Sequence, residues 1–354
     1  MSQLVSPVLS PGHFVIYPRR VTSRLRALLV LAVVASTVVG LGGFRLAAAQ
    51  VESPTFTAQE AQAYKAWYDA NGAADFPRAM DLAREYLKAY PAGRYAAYLT
   101  AWLPQVRARL FGQAVQARDV DTMLRLGEEG LGDNPEDLYY LYWLAVGLRS
   151  AELQSTPPRA THETELVEFV RRALTLIEAG RVPPGIESSR WNQKAAAGDL
   201  YETLALVEEG HERWAKAAEY AEKAATLDAT SPNHVFDCGR MHQASYLQAV
   251  RDLQAVPDTD RLTQPLKPQV QTLVDRVNRE ADAVIDCWTR FLALTSVDNP
   301  YGSTRGNVEK ALAELYKYRH PDDPAGLQKA IDARRGGAPA AAPADAPAAT
   351  KSTP

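Results

Sequence analysis

The chain has 354 residues, with 39 basic and 42 acidic side chains and a formal net charge of −3. No Lys/Arg-rich block occurs beyond residue 49. That balance excludes a nucleic-acid backbone as partner, because such a partner needs a concentrated basic face.

The N-terminus differs from the rest. Residues 1–49 hold five arginines (Arg19, Arg20, Arg24, Arg26 and Arg45) and no acid. An uncharged apolar run of 18 residues extends from Ala27 to Phe44, and the small residues Ala47-Ala48-Ala49 follow it. Basic flank, apolar run and small-residue site predict a signal peptide over 1–49, cut after Ala49, and a periplasmic or secreted protein. The alternative is that residues 27–44, just long enough to span a bilayer, stay as a membrane anchor. Gly40, Gly42 and Gly43 near the end of the run favour cleavage. Arg19-Arg20 is followed by Val21-Thr22-Ser23, which does not fit a twin-arginine signal. Without residues 1–49, the balance is 34 basic to 42 acidic residues.

Residues 50–335 lack alternating Val/Ile/Thr runs, and their apolar residues recur at spacings of three and four, as on helices. Thr57-Ala58-Gln59-Glu60 reads as a capping box opening the first helix. Breakers follow at Asn71-Gly72, Asp133-Asn134-Pro135, Thr156-Pro157-Pro158, Pro183-Pro184-Gly185, Ser231-Pro232 and Asp298-Asn299-Pro300. Glu202, Leu206 and Glu209 belong to an amphipathic helix before His211. Val270, Leu273, Val274, Val277, Ala281, Val284, Trp288 and Phe291 form one stripe of a long helix from Pro268 to Thr295. The tail from 336 to 354 is almost all Ala, Pro and Gly, and such a composition cannot repay the entropy of ordering.

Four sets of small or apolar residues share an i, i+4, i+7 spacing: Ala79, Ala83 and Tyr86; Met123, Gly127 and Gly130; Leu166, Val170 and Ala173; Ala217, Ala221 and Ala224. Pro91 and Pro135 follow the first two sets at the same offset. The segments from Phe76 to Ala83 and from Ala217 to Ala224 resemble the second helix of a tetratricopeptide repeat. The resemblance covers roughly residues 57 to 230, and the spacing is longer and less even than in that family. It implies an all-α fold, an α-solenoid of antiparallel helix pairs wound into a right-handed superhelix. It also implies a concave face, lined by the first helix of each pair, that holds a peptide or a partner domain.

The candidate lining residues are aromatic. Tyr139-Tyr140-Leu141-Tyr142-Trp143 surrounds a helix, so some of these side chains are expected to face a groove, and Tyr64, Trp67 and Tyr98 extend the same lining, with Tyr68, Tyr95 and Trp102 beside them. Packing between repeats is the alternative role for all of them.

His234, Cys238 and His242 lie at i, i+4 and i+8, on one helical stripe. Cys238 with one of the histidines could bind zinc or copper alongside ligands from elsewhere, which makes a metal- or small-ligand-binding protein the second functional reading. The outer two histidines are too far apart to share an ion. The only cysteines are Cys238 and Cys287. If helices near 233–255 and 268–295 form an antiparallel hairpin, the two come to nearly the same height, and a disulfide is possible. No nucleophile elbow, zinc-protease motif or phosphate-binding glycine loop is present. The acids Glu128-Glu129 and Glu208-Glu209 are neighbours that diverge on a helix. The expectation is therefore an exported scaffold that binds protein, with no enzymatic activity and no cofactor.

Overall fold

The computed structural model describes residues 56–155, 160–296, 301–323 and 325–335. The signal peptide expected over 1–49, the alternative anchor at 27–44, the tail from 336 and the breakers at 156–158 and 298–300 lie outside these residues. The described residues are all-helical, with thirteen α-helices and no strand. None of these helices is long and apolar enough to cross a membrane. Within the range expected to form repeats, the chain divides into two compact units, one ending at Gln193 and the other beginning at Lys194.

The first unit contains α1 (Ala58–Gly72), α2 (Phe76–Ala89), α3 (Ala96–Ala117), α4 (Val120–Asp133), α5 (Leu138–Leu148) and α6 (Glu163–Glu178). A π-type turn at Arg149–Leu153 extends α5, and a 3-10 turn lies at Ser188–Arg190. Local chemistry starts the helices. Asp75, Asp119 and Asp137 cap α2, α4 and α5 by accepting from the backbone N–H of Arg78, Thr122 and Tyr139. Thr57 caps α1, its Oγ1 accepting from the N–H of Glu60 at 3.1 Å. The reciprocal half of the expected capping box does not form. The Glu60 carboxylate accepts instead from the Tyr86 hydroxyl at 2.5 Å and from the Arg94 N–H at 2.8 Å. Glu60 lies near the start of α1 and Tyr86 near the end of α2, so the two helices run antiparallel.

Consecutive helices pack against each other from α1 through α6, and α5 also touches α3. The i, i+4, i+7 sets on α2, α4 and α6 are buried. Their small size sets the helix separation on α4. Gly127 lies against Leu144 of α5 and Gly130 against Tyr140, while Gly147 of α5 lies against Met123. These pairs run in opposite order along the two helices, which are therefore antiparallel. A β-carbon at Gly127 would stand 2.7 Å from Leu144 Cδ2, closer than packed atoms approach.

The second unit contains α7 (Gln193–Gly210), α8 (Trp214–Leu227), α9 (Pro232–Gln254), α10 (Asp258–Arg261), α11 (Pro268–Leu294), α12 (Gly302–Arg319) and α13 (Gly326–Arg335). Ser231 caps α9 and Pro232 opens it, a position where a missing N–H costs nothing. The long α9 and α11 form the unit's centre, with α8 on α9 and both α12 and α13 on α11. Cys238 near the start of α9 is bonded to Cys287 near the end of α11, with their Cα atoms 5.9 Å apart. At the other end Arg276 Nη1 reaches Asp252 Oδ2 at 3.2 Å. The two helices are thus antiparallel along their length. Their shared core includes Val235, Met241, Val284, Trp288 and Phe291, joined by Ala217 and Ala221 of α8. Arg305 of α12 is buried and closes the end of α11, its Nη1 donating to the carbonyls of Leu292 at 2.6 Å and Thr295 at 3.1 Å.

Candidate functional site

Two features carry chemistry, one in each unit. The first is an aromatic face on α1 and α3. Tyr64 stacks on Tyr95, with ring centroids 3.5 Å apart, and Phe56 meets Tyr95 edge-on at 5.8 Å. Tyr64 also contacts Trp67 and Tyr68, and Trp67 meets Tyr98 at 5.6 Å and Trp102 at 5.2 Å. The rings form one connected set. Tyr68 is 60% exposed, Tyr98 53% and Phe56 40%, while Trp67 at 1% is the buried post on which the set rests. The Arg94 guanidinium lies 5.5 Å from the Phe56 ring centre. Underneath, Glu60 and Tyr86 fix the α1–α2 pair. Burial and the hydrogen bond to Glu60 push the Tyr86 hydroxyl up to about 12, so it remains a donor.

Of the residues expected to line a groove, Tyr98 is exposed and Tyr64 half-buried, and both belong to this face. Trp67, Tyr140 and Tyr142 are buried, which removes them from any partner surface. The reason for the two tyrosines is that α5 is covered on several sides, by α3, α4 and α6. Tyr140 packs on Phe111 with centroids 5.0 Å apart, and Trp191 covers Tyr142 at 5.3 Å. Tyr139 is half-buried and rests against Phe111 and Tyr140. A run of large residues around a helix therefore marks a central helix here.

The second feature is a polar layer between α7 and α9. His234 is 1% exposed. Its Nε2 lies 3.2 Å from Asp199 Oδ1 and 3.4 Å from Glu202 Oε2. One ligand atom from each of these three residues lies within 4.8 Å of the others. On the opposite side of the ring, Nδ1 is buried without a hydrogen bond, and Asp228 Oδ2 is 3.9 Å away. Gly198 makes room for this ring: a β-carbon there would stand 2.9 Å from His234 Cε1. Burial alone would lower the His234 pKa, but the bonds to Asp199 and Glu202 outweigh it and raise it to about 9.

Further along α9, Arg240 Nε donates to Asp237 Oδ1 at 2.9 Å and its guanidinium grips both carboxylate oxygens of Glu209. Burial lifts the Asp237 carboxyl well above the usual range; the Arg240 charge opposes this, and the neighbouring Glu202 adds to it. Counting Asp199, Glu202, Glu209, Asp228 and Asp237 against His234 and Arg240, the layer carries an excess of acid.

The stripe of His234, Cys238 and His242 does not act as one group. Cys238 is held in the disulfide, which removes its thiolate as a metal ligand. His242 turns toward α11, where its Nδ1 lies 2.8 Å from Glu280 Oε2. Burial would raise the Glu280 pKa, but His242 beside it holds that carboxyl below its ordinary value. The adjacent acids diverge: Glu129 pairs with Arg84 at 2.6 Å, Glu208 with Arg213 and Glu209 with Arg240. Asp199 is the residue that sequence reasoning missed. Its signal was present: Asp199 and Glu202 stand three residues apart in a stretch of α7 rich in Ala, Leu and Val, the pattern of acids turned inward.

No protein-family model matches this chain, and no curated protein matches it at a significant level.

Proposed function

We propose that this protein is an exported scaffold whose helix pairs stack as a tetratricopeptide-like solenoid, and that it acts by holding a partner protein. The observation that carries this reading is the connected aromatic face on α1 and α3, where Phe56, Tyr68 and Tyr98 leave large apolar surface in water. Exposed rings set in a contiguous patch are costly to keep solvated and favour association. Tyrosine suits such a patch because its ring supplies contact area at low entropic cost and its hydroxyl remains available for hydrogen bonds. An extended partner segment would lie across Tyr68 and Tyr98, with an acidic residue near Arg94. The buried, small-residue contacts of α2 and α4 support the solenoid reading, because they allow the close helix packing that stacked pairs require.

The test is site-specific photo-crosslinking in the native host. A photoreactive residue at position 68 or 98 should trap the same partner, and one at the exposed Tyr318 of the second unit should not. Equal labelling at all three positions, or none at 68 and 98, would refute the proposal.

A further inference from the structure

His234 faces two carboxylates with the same nitrogen. A charge-assisted hydrogen bond from imidazolium to carboxylate is ordinarily about 2.7–2.9 Å long. The distances here are 3.2 Å to Asp199 and 3.4 Å to Glu202, so neither bond is optimal. They fit a different centre. Ligand atoms about 2.0–2.2 Å from a tetrahedral zinc ion stand roughly 3.4 Å apart. We propose that Asp199, Glu202 and His234 form a binding site for one divalent transition-metal cation, zinc in first place.

The ligand set is one imidazole nitrogen and two carboxylate oxygens, which a borderline cation accepts and which leaves a fourth position for water. The two acids sit three residues apart on α7 and so present from one helix face, and His234 comes from α9 to complete the set. The site is built rather than incidental. His234 is more than nine-tenths buried and is fitted against Gly198. Asp228 Oδ2 lies 3.9 Å from the unbonded Nδ1, on the side of the ring where a ligating histidine ordinarily meets a supporting carboxylate. The Asp199 side chain is 22% exposed and provides the route for the ion. On binding, Nε2 gives up its proton to solvent and the cation takes its place between the three ligand atoms. The charge excess of the surrounding layer favours that exchange.

The experiment uses the full chain, freed of metal with a chelator and titrated with zinc chloride by calorimetry. Elemental analysis after gel filtration gives the stoichiometry. One zinc per chain is expected. Asp199→Asn should weaken binding at least tenfold while leaving the metal-free circular dichroism spectrum and melting curve in place. Asp199 stands at the partly open edge of the layer and asparagine matches its size, so this variant keeps the fold even if His234→Gln does not. Glu222→Gln removes the exposed acid 3.9 Å from His242 and should leave the affinity unchanged. Folded chain that takes up no zinc overturns the proposal, and so does binding that Asp199→Asn leaves intact or that Glu222→Gln abolishes.

Discussion

The ring of Tyr140 occupies the space that a side chain at Gly130 would need, with Cδ2, Cε2 and Cζ all inside contact distance of a β-carbon there. The ring has little room to retreat, because Phe111 packs against it. Gly130→Ala should therefore lower stability by about 1–3 kcal/mol, overpacking outweighing the roughly 1 kcal/mol gained in helix propensity. Gly132, two residues on, has nothing within 4 Å of its would-be β-carbon. Gly132→Ala should stabilise by up to about 1 kcal/mol. Urea denaturation of the two variants checks the opposite signs.

The pH dependence of stability follows from His234. Its pKa is raised from 6.5 to about 9 in the folded chain. The stabilisation is fully present below pH 6.5 and is lost as pH rises through 9, with a magnitude of roughly 3 kcal/mol. The groups facing the ring are Asp199 and Glu202 from α7 and Asp228 beyond α8. Asp237 beside Glu202, with its raised pKa, acts in the same direction at lower pH, since the fold disfavours its ionised form. Melting temperatures across pH 6 to 9, measured on the chain freed of metal with a chelator, should fall, and His234→Asn should flatten that decline. A profile that is flat in both proteins would contradict this account.

Glu60 holds the first helix pair by accepting from Tyr86 and from the Arg94 backbone. Glu60→Ala strands both donors and should cost about 3 kcal/mol, whereas Glu60→Gln keeps an acceptor and should cost about 1 kcal/mol. Thermal melts followed by tryptophan fluorescence would report the loss through Trp67.

Both cysteines of the disulfide lie in the second unit, so reduction is expected to act there. For residues 49 apart in sequence, the chain-entropy estimate is about 4 kcal/mol. Adding a reductant, or making Cys238→Ser, should lower the stability of that unit and leave the first unit's transition unchanged. Hydrogen exchange resolved by segment separates the two.

The helices were legible because their periodicity is local. The long apolar stripe on α11 and the breakers at Gly72, Asn134 and Ser231 are visible within a few residues of each boundary. The small-residue spacing on α4 was legible for the same reason, although only the structure shows that Gly127 and Gly130 meet Leu144 and Tyr140. The polar site was half legible. His234 stood out, but its stripe suggested Cys238 and His242 as companions, because spacing along one helix says nothing about the helix opposite. Its actual companions, Asp199 and Glu202, lie more than thirty residues upstream on α7. The aromatic run at 139–143 misled for a related reason. Composition reveals that a helix is apolar all round, and only packing reveals how many neighbours cover it.

The bond between Cys238 and Cys287 has a further consequence for the connection from 255 to 267, where Leu262 lies 54% exposed. Trypsin cutting after Arg261 would leave two pieces still fastened through sulfur, with α9 and α11 kept side by side. Such a nicked molecule would migrate as an intact one on a gel until thiol was added, and damage at this edge would not by itself release either half.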